Sequence, residues 1–153
     1  MEHPKAVGDR STLAIMLALH TAGYVVSVPF GDNARYDLVI DEGGRLARIQ
    51  CKTGRLRLGA VEFSTASSYV HLPSPRESHR SYQGEIDYFA VYCPGTAGVY
   101  LIPIGHIAAR RQARLRIEPP RNCQRKRIRA ASQYEILTIR LGDVAPGQLH
   151  FAS

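Results

Sequence analysis

Residues 36–53, YDLVIDEGGRLARIQCKT, constrain the fold of this chain more than any other stretch. Two alternating runs meet at Gly43-Gly44, a pair free to take the positive φ that a tight hairpin turn demands. With those glycines as the turn, Glu42 lies opposite Arg45, and counting back along both strands sets Asp37 opposite Gln50. Because side chains alternate along a strand, Tyr36, Leu38, Ile40, Ala47, Ile49 and Cys51 share one apolar face. That face belongs in a core. The opposite face carries Asp37, Val39, Asp41, Leu46, Arg48, Gln50 and Lys52, so an acid, an amide and an amine converge at the end of the hairpin away from the turn.

A chain of 153 residues with a formal charge of +7 suits one globular domain, 1–153, with no room for a second. No apolar run has the length of a membrane span, and the start, MEHPKAVGDR, holds no apolar signal segment, so a cytosolic protein is expected. Cys51, Cys93 and Cys123 are scattered and lack CxxC spacing, which points to neither a zinc site nor a disulfide framework. The excess of positive charge favours a polyanionic partner, most economically nucleic acid.

Leu13, Met16, Leu17 and Leu19 or His20 recur at helical spacing over residues 8–23, with Gly23 where a C-terminal cap belongs and Asp9 or Ser11 as N-cap. A short β-branched strand follows at 24–28 and stops at Pro29. The polar loop 30–35 then delivers the chain to Asp37, which sets Asn33 and Arg35 within reach of a ligand or leaves them as plain turn formers. Beyond the hairpin come a basic stretch with Arg55 and Arg57, a strand at 60–64, and a long loop at 65–84 with a short helix near 67–70. Residues 85–93, EIDYFAVYC, form the strongest strand, with 99–103 as hairpin partner across Pro94-Gly95 and helical turns over 104–111. Positive charge collects at 110–129, where Arg121, Arg125 and Arg127 flank Asn122 and Gln124, a composition suited to phosphate or base contact.

The polar end of the hairpin suits metal-assisted phosphodiester hydrolysis. Asp37 supplies a hard carboxylate oxygen for Mg²⁺, and the Gln50 oxygen and a main-chain carbonyl near Cys51 add two neutral ligands. Lys52 would position the attacking water or offset charge in the transition state. The plainer alternative is an ordinary polar sheet face whose Asp and Lys pair loosely.

The order helix, strand, PFGDNARYDLVID, turn, RIQCKTGR resembles the PD-(D/E)XK nuclease superfamily, and within it the group I intron-associated homing endonuclease branch, where a Gln can replace the (D/E) of the second motif. The likeness is close over the first third of the chain and looser through EIDYFAVYCPGTAGVYLIP and PPRNCQRKRIR. It implies an α/β fold of the restriction-endonuclease type: a mixed β-sheet built from 24–28, 36–40, 46–53 and 86–93, flanked by helices. In this resemblance Asp37 matches the metal-binding acid, Gln50 the (D/E) position and Lys52 the lysine, with Mg²⁺ as cofactor and Mn²⁺ as substitute. Members usually carry a Glu on the first helix, where this chain has Thr12; Asp9, one turn earlier, is either its stand-in or only an N-cap.

The activity implied is hydrolysis of double-stranded DNA by a homo-dimer or homo-tetramer, since one active site cuts one strand. Asn33, Arg35, Arg55, Arg57, Arg121, Arg125 and Arg127 are the expected DNA contacts. With Gln50 and Thr12 both neutral, a DNA-binding protein that keeps the fold without hydrolysis is the alternative. A branched-DNA (Holliday junction) resolvase would differ in substrate and not in chemistry.

Overall fold

The computed structural model describes residues 2–69, 78–108, 111–118 and 129–136. One helix, α1 (Pro4–Thr21), is followed by β1 (Val25–Ser27), β2 (Leu38–Asp41), β3 (Leu46–Thr53), β4 (Arg55–Arg57), β5 (Ala60–Ser64), β6 (Ala66–Tyr69), β7 (Ser78–Ser81), β8 (Tyr88–Cys93), β9 (Gly98–Pro103) and β10 (Gln112–Arg116). Five strands form a mixed sheet in the order β1-β2-β3-β8-β9, parallel only between β3 and β8. A second sheet has the order β10-β5-β4, and β6 and β7 form a two-stranded ribbon.

The hairpin explains the layering. On one side of the main sheet Leu38, Ile40, Ala47 and Ile49 pack with Ile15, Ala18 and Leu19 of α1. On the other, Phe89, Val91 and Ile102 pack with Val61, Phe63, Ala113 and Leu115 of the smaller sheet. The result is helix, five-stranded sheet, three-stranded sheet, the two sheets each burying an apolar face. Among the described residues no helix is long and apolar enough to cross a membrane.

The helix begins earlier than its sequence pattern suggests. Pro4 occupies the first turn, where a missing N–H costs nothing, and the cap is His3, whose Nδ1 accepts from the Lys5 N–H at 3.3 Å. Asp9 and Ser11 therefore lie inside the helix and neither caps it. At the other end Gly23, at φ 97°, sends its N–H to the His20 carbonyl while Tyr24 reaches Leu19, a pairing that closes a helix on a left-handed glycine. The buried stripe matches the expected one only in part: Leu19 is buried and Met16 packs against the same cluster, but Ser11, Ile15 and Ala18 complete the buried side while Leu13 and Leu17 are 65% and 61% exposed. Both stripes repeat at helical spacing, and the one carrying Ser11 and Ala18 allows the helix to approach the sheet closely, with Ser11 Oγ 2.6 Å from Thr53 Oγ1.

Gly43 and Gly44 take φ values of 72° and 101°, as the hairpin turn requires, and the register Leu38↔Ile49 to Asp41↔Leu46 is the one set by counting from that turn. Within the expected loop at 65–84, with its helix near 67–70, the described residues form the β6–β7 ribbon across 66–69 and 78–81, and 70–77 lie outside the described residues. Small polar residues there carry no alternation to distinguish a ribbon from a loop. Of the helical turns expected over 104–111, the described residues show one 3₁₀ turn, Ile104–His106, and 109–110 lie outside the described residues. Arg121, Cys123, Arg125 and Arg127 lie outside the described residues.

Gly54 joins β3 to β4 where no side chain fits: an added Cβ would meet Val61 Cγ1 at 2.7 Å and Val91 Cγ1 at 2.9 Å. Gly54→Ala should cost about 1–3 kcal/mol through overpacking. Gly8, inside α1 with nothing within 4 Å of an added Cβ, should respond the opposite way, Gly8→Ala stabilising by about 0.5–1 kcal/mol. Urea denaturation of both variants checks the two signs together.

Candidate active site

At Asp37 the hairpin stops being a plain ladder. Continuing its register would pair Tyr36 with Cys51; instead the Asp37 N–H donates to the Ile49 carbonyl at 2.8 Å, and the Cys51 N–H donates to Asp37 Oδ2 at 2.9 Å. A side-chain carboxylate thus takes a main-chain donor that the next ladder rung would have used. One consequence corrects the expected faces: Tyr36 leaves the side of Leu38 and packs against the opposite cluster with Phe89 and Tyr82. Alternation holds only while the strand stays in register.

Strand β3 divides its residues between the two layers. Gln50 and Lys52 pair with Phe89 and Val91 and share their face, whereas Cys51 turns toward α1, where Thr12 acts to lower the pKa of its thiol. Asp37 lies where both sides meet. It lines a cleft of about 590 Å³ together with Asp9, Thr12 and Asp32, so the helix position occupied by Thr12 does face the hairpin acid. Asp9 is on the rim, exposed and paired with Lys5 at 3.2 Å. Asp32 gave no sequence signal beyond its place in a polar loop.

Lys52 is held on its other side by the β6–β7 region. Its Nζ lies 3.4 Å from the Ala66 carbonyl, 3.5 Å from the Tyr82 hydroxyl and 4.9 Å from the centroid of the Tyr82 ring. The Arg35 guanidinium sits 4.2 Å from the same centroid, so one ring serves two cations. Arg35 is further committed to a Glu85 ion pair, to Ser67 Oγ at 2.8 Å and to the Ser81 carbonyl at 3.2 Å. Tyr82 itself is 5% exposed and packs edge-on against Phe89. Sequence patterning passed over Tyr82 because it stands alone in a polar stretch.

Burial dominates the electrostatics. It pushes the Asp37 carboxyl above the usual carboxylate range, opposed by the Cys51 N–H and then by the Lys52 charge. It lowers the Lys52 ammonium, with Asp37 pulling up and Arg35 pushing further down. Each charge is thus partly desolvated and depends on the other. The Cys51 thiol is driven far up by burial and by Asp37, which keeps it neutral and leaves the main-chain oxygen as the only hard donor this residue offers.

Among the described residues no three His, Cys, Asp or Glu side chains gather as a metal group. The available donors are the Asp37 carboxylate, the Gln50 amide, which takes no hydrogen bond among the described residues, and main-chain oxygen at the end of β3. All are oxygens, the set a hard divalent cation prefers, and of these three donors Asp37 is the one that lines the cleft. Of the expected DNA contacts, Asn33, Arg55 and Arg57 are exposed, while Arg35 is turned inward to Glu85 and Tyr82.

A family model described as PD-(D/E)XK endonuclease matches residues 2–137. Among solved structures, the bacterial homing endonuclease I-Ssp6803I is similar over 88% of this chain and 89% of that one, with a TM-score of 0.67 and 25% sequence identity. No curated protein sequence matches.

The Arg35 network predicts its own cost. Arg35→Ala removes the Glu85 pair, the Ser67 and Ser81 hydrogen bonds and the ring contact, and should destabilise the fold by about 1–3 kcal/mol in urea denaturation.

Proposed function

The chain belongs to the PD-(D/E)XK endonuclease family, and on that footing we propose that it is a cytosolic, divalent-metal-dependent DNA endonuclease of the intron-homing type. The observation that carries this reading is that Asp37 and Lys52, both partly desolvated, act on each other's charge at the end of the hairpin strand that also carries Gln50. The homing assignment is supported by the likeness to I-Ssp6803I.

In this reading Asp37, Gln50 and the Cys51 main-chain oxygen hold Mg²⁺, with Mn²⁺ as substitute. When bound, such a cation polarises the scissile phosphate and lowers the pKa of a coordinated water. The chain's own residues do the rest. Lys52, fixed by Tyr82 and the Ala66 carbonyl, presents positive charge beside the phosphate and offsets the charge that builds up in the transition state. Asp37 keeps that ammonium charged in a desolvated place and orders the end of β3 through the Cys51 N–H. Arg35 acts by anchoring the loop, and Asn33, Arg55, Arg57, Arg121, Arg125 and Arg127 meet backbone phosphates. Asp9, on the cleft rim one helical turn before Thr12, adds negative charge near the position of the helix acid. A homo-dimer or homo-tetramer supplies the second site that a double-strand cut needs.

Thr12 favours one competing reading. With a neutral residue at the helix position facing Asp37, the fold could bind DNA without cutting it. Incubating the protein with supercoiled plasmid and intron-homing DNA, in Mg²⁺ or Mn²⁺ against EDTA, separates the two. Inactive wild type combined with an active Thr12→Glu variant would establish the binding protein. Light scattering with and without DNA tests the oligomer, and a monomer in both conditions counts against it.

Asp37→Asn and Lys52→Ala should each lower cleavage by at least about 10²-fold while leaving retention of a duplex in a gel-shift assay largely intact. Gln50→Glu puts a second carboxylate beside Asp37, so the Mg²⁺ concentration giving half-maximal cleavage should fall, whether or not the maximal rate rises. An unchanged midpoint would remove Gln50 from the metal shell.

A further inference from the structure

The three-stranded sheet has one face in the core and one to which the nuclease reading gives only phosphate contacts, at Arg55 and Arg57. Cross-strand pairing sets Arg55, Glu62 and Arg114 in one row and Arg57, Ala60 and Arg116 in the next, while Leu56, Val61 and Leu115 point the other way. The outer face thus carries four arginines and a single acid. Arg55, Arg57 and Arg114 are exposed, and Arg55 and Arg57 make no side-chain hydrogen bond among the described residues.

The one acid is placed to organise its neighbours. Glu62, 13% exposed, receives Arg114 Nε at 3.1 Å on one oxygen and Gln112 Nε2 at 3.3 Å on the other. Arg114 stays 47% exposed, and its two terminal nitrogens have no partner among the described residues. A guanidinium pinned through Nε keeps its two-pronged end free in a fixed plane, the form in which arginine pairs with guanine O6 and N7. Gln112 offers the amide that pairs with adenine in the same way.

The face also continues from the candidate active site. Ser64, the partner of Gln112, donates to the Ala66 carbonyl at 3.0 Å, and Lys52 Nζ reaches that same oxygen at 3.4 Å. Two residues along a strand advance about 7 Å, so the Arg114 and Arg116 rows stand about 7 and 14 Å further along, roughly two to four base-pair steps.

We propose that the outer face of β4, β5 and β10 reads duplex DNA through the major groove, with Arg114, fixed by Glu62, as a specificity-determining residue. The β5–β10 ribbon is of a size that groove admits, and Arg55 and Arg57 on the flanking strand then meet the phosphates of its wall. This rests on the endonuclease reading above and goes beyond it, because backbone contacts and cleavage alone require no base preference. A cross-strand ion pair serving only the sheet would leave base preference untouched.

The test is a selection from duplexes with a randomised core, in Ca²⁺ buffer, followed by affinity measurements over a salt series. Wild type should enrich a motif. Arg114→Lys, which keeps the charge and loses the fork, should reduce discrimination at one guanine position roughly 5- to 150-fold while the salt slope stays the same. Glu62→Gln should broaden that same position even as losing an acid strengthens binding to all sequences. Arg45→Gln, at the distant hairpin turn, should change neither. The proposal is overturned if Arg114→Gln weakens every sequence equally and lowers the salt slope by about 0.9, the mark of a phosphate contact. It is also overturned if wild type binds all duplexes alike, a result that leaves the nuclease reading standing. Wild type that retains no duplex at all removes both.

Discussion

A single hydrogen bond, from the Cys51 N–H to Asp37 Oδ2, sets the geometry on which the site depends. It satisfies a strand-end donor with a carboxylate, which ends the β2–β3 ladder and turns Tyr36 into the layer opposite Leu38. Asp37 is thereby placed at the boundary of two layers, within range of the helix position Thr12 and of the Lys52 charge. Burial raises the energy of its ionised form, and the N–H and the ammonium offset that cost.

Lys52 has the complementary problem. Desolvation disfavours its charge, and the surroundings answer with a carbonyl, a hydroxyl and the face of an aromatic ring. Arg35 competes for the same ring and is itself neutralised by Glu85. The result is a basic centre whose partners come from β6, β7 and the segment after β7. The ribbon therefore matters to the site even though it adds little to either core.

The hairpin was legible because its information is local. Gly43-Gly44 set the turn, alternation set the faces of residues 38–41 and 46–49, and β8 and β9 followed from their apolar runs. The helix was legible as a helix and misread as a surface: Leu13–Leu17 and Ile15–Leu19 repeat with one spacing, and nothing in the period says which pair meets the sheet. His3 as cap was hidden by Asp9 and Ser11, better capping residues by type that stand too far into the chain. Tyr82 and Ser67 were invisible as partners of Arg35 and Lys52, since residues 65–84 have neither period to mark their strands nor composition to mark their role.

The sequence by itself determined which chemistry is available: an acid, an amide and a lysine at set offsets on one hairpin, with a neutral threonine on the helix before them. Those are consequences of covalent order and strand alternation, which act over a few residues. The tertiary structure decided how that chemistry is conditioned. Burial of Asp37 and Lys52, the ring between two cations, and the row that joins Arg55, Glu62 and Arg114 all bring together residues far apart in the chain. Desolvation and cross-strand register depend on how whole layers pack, and no local pattern encodes them.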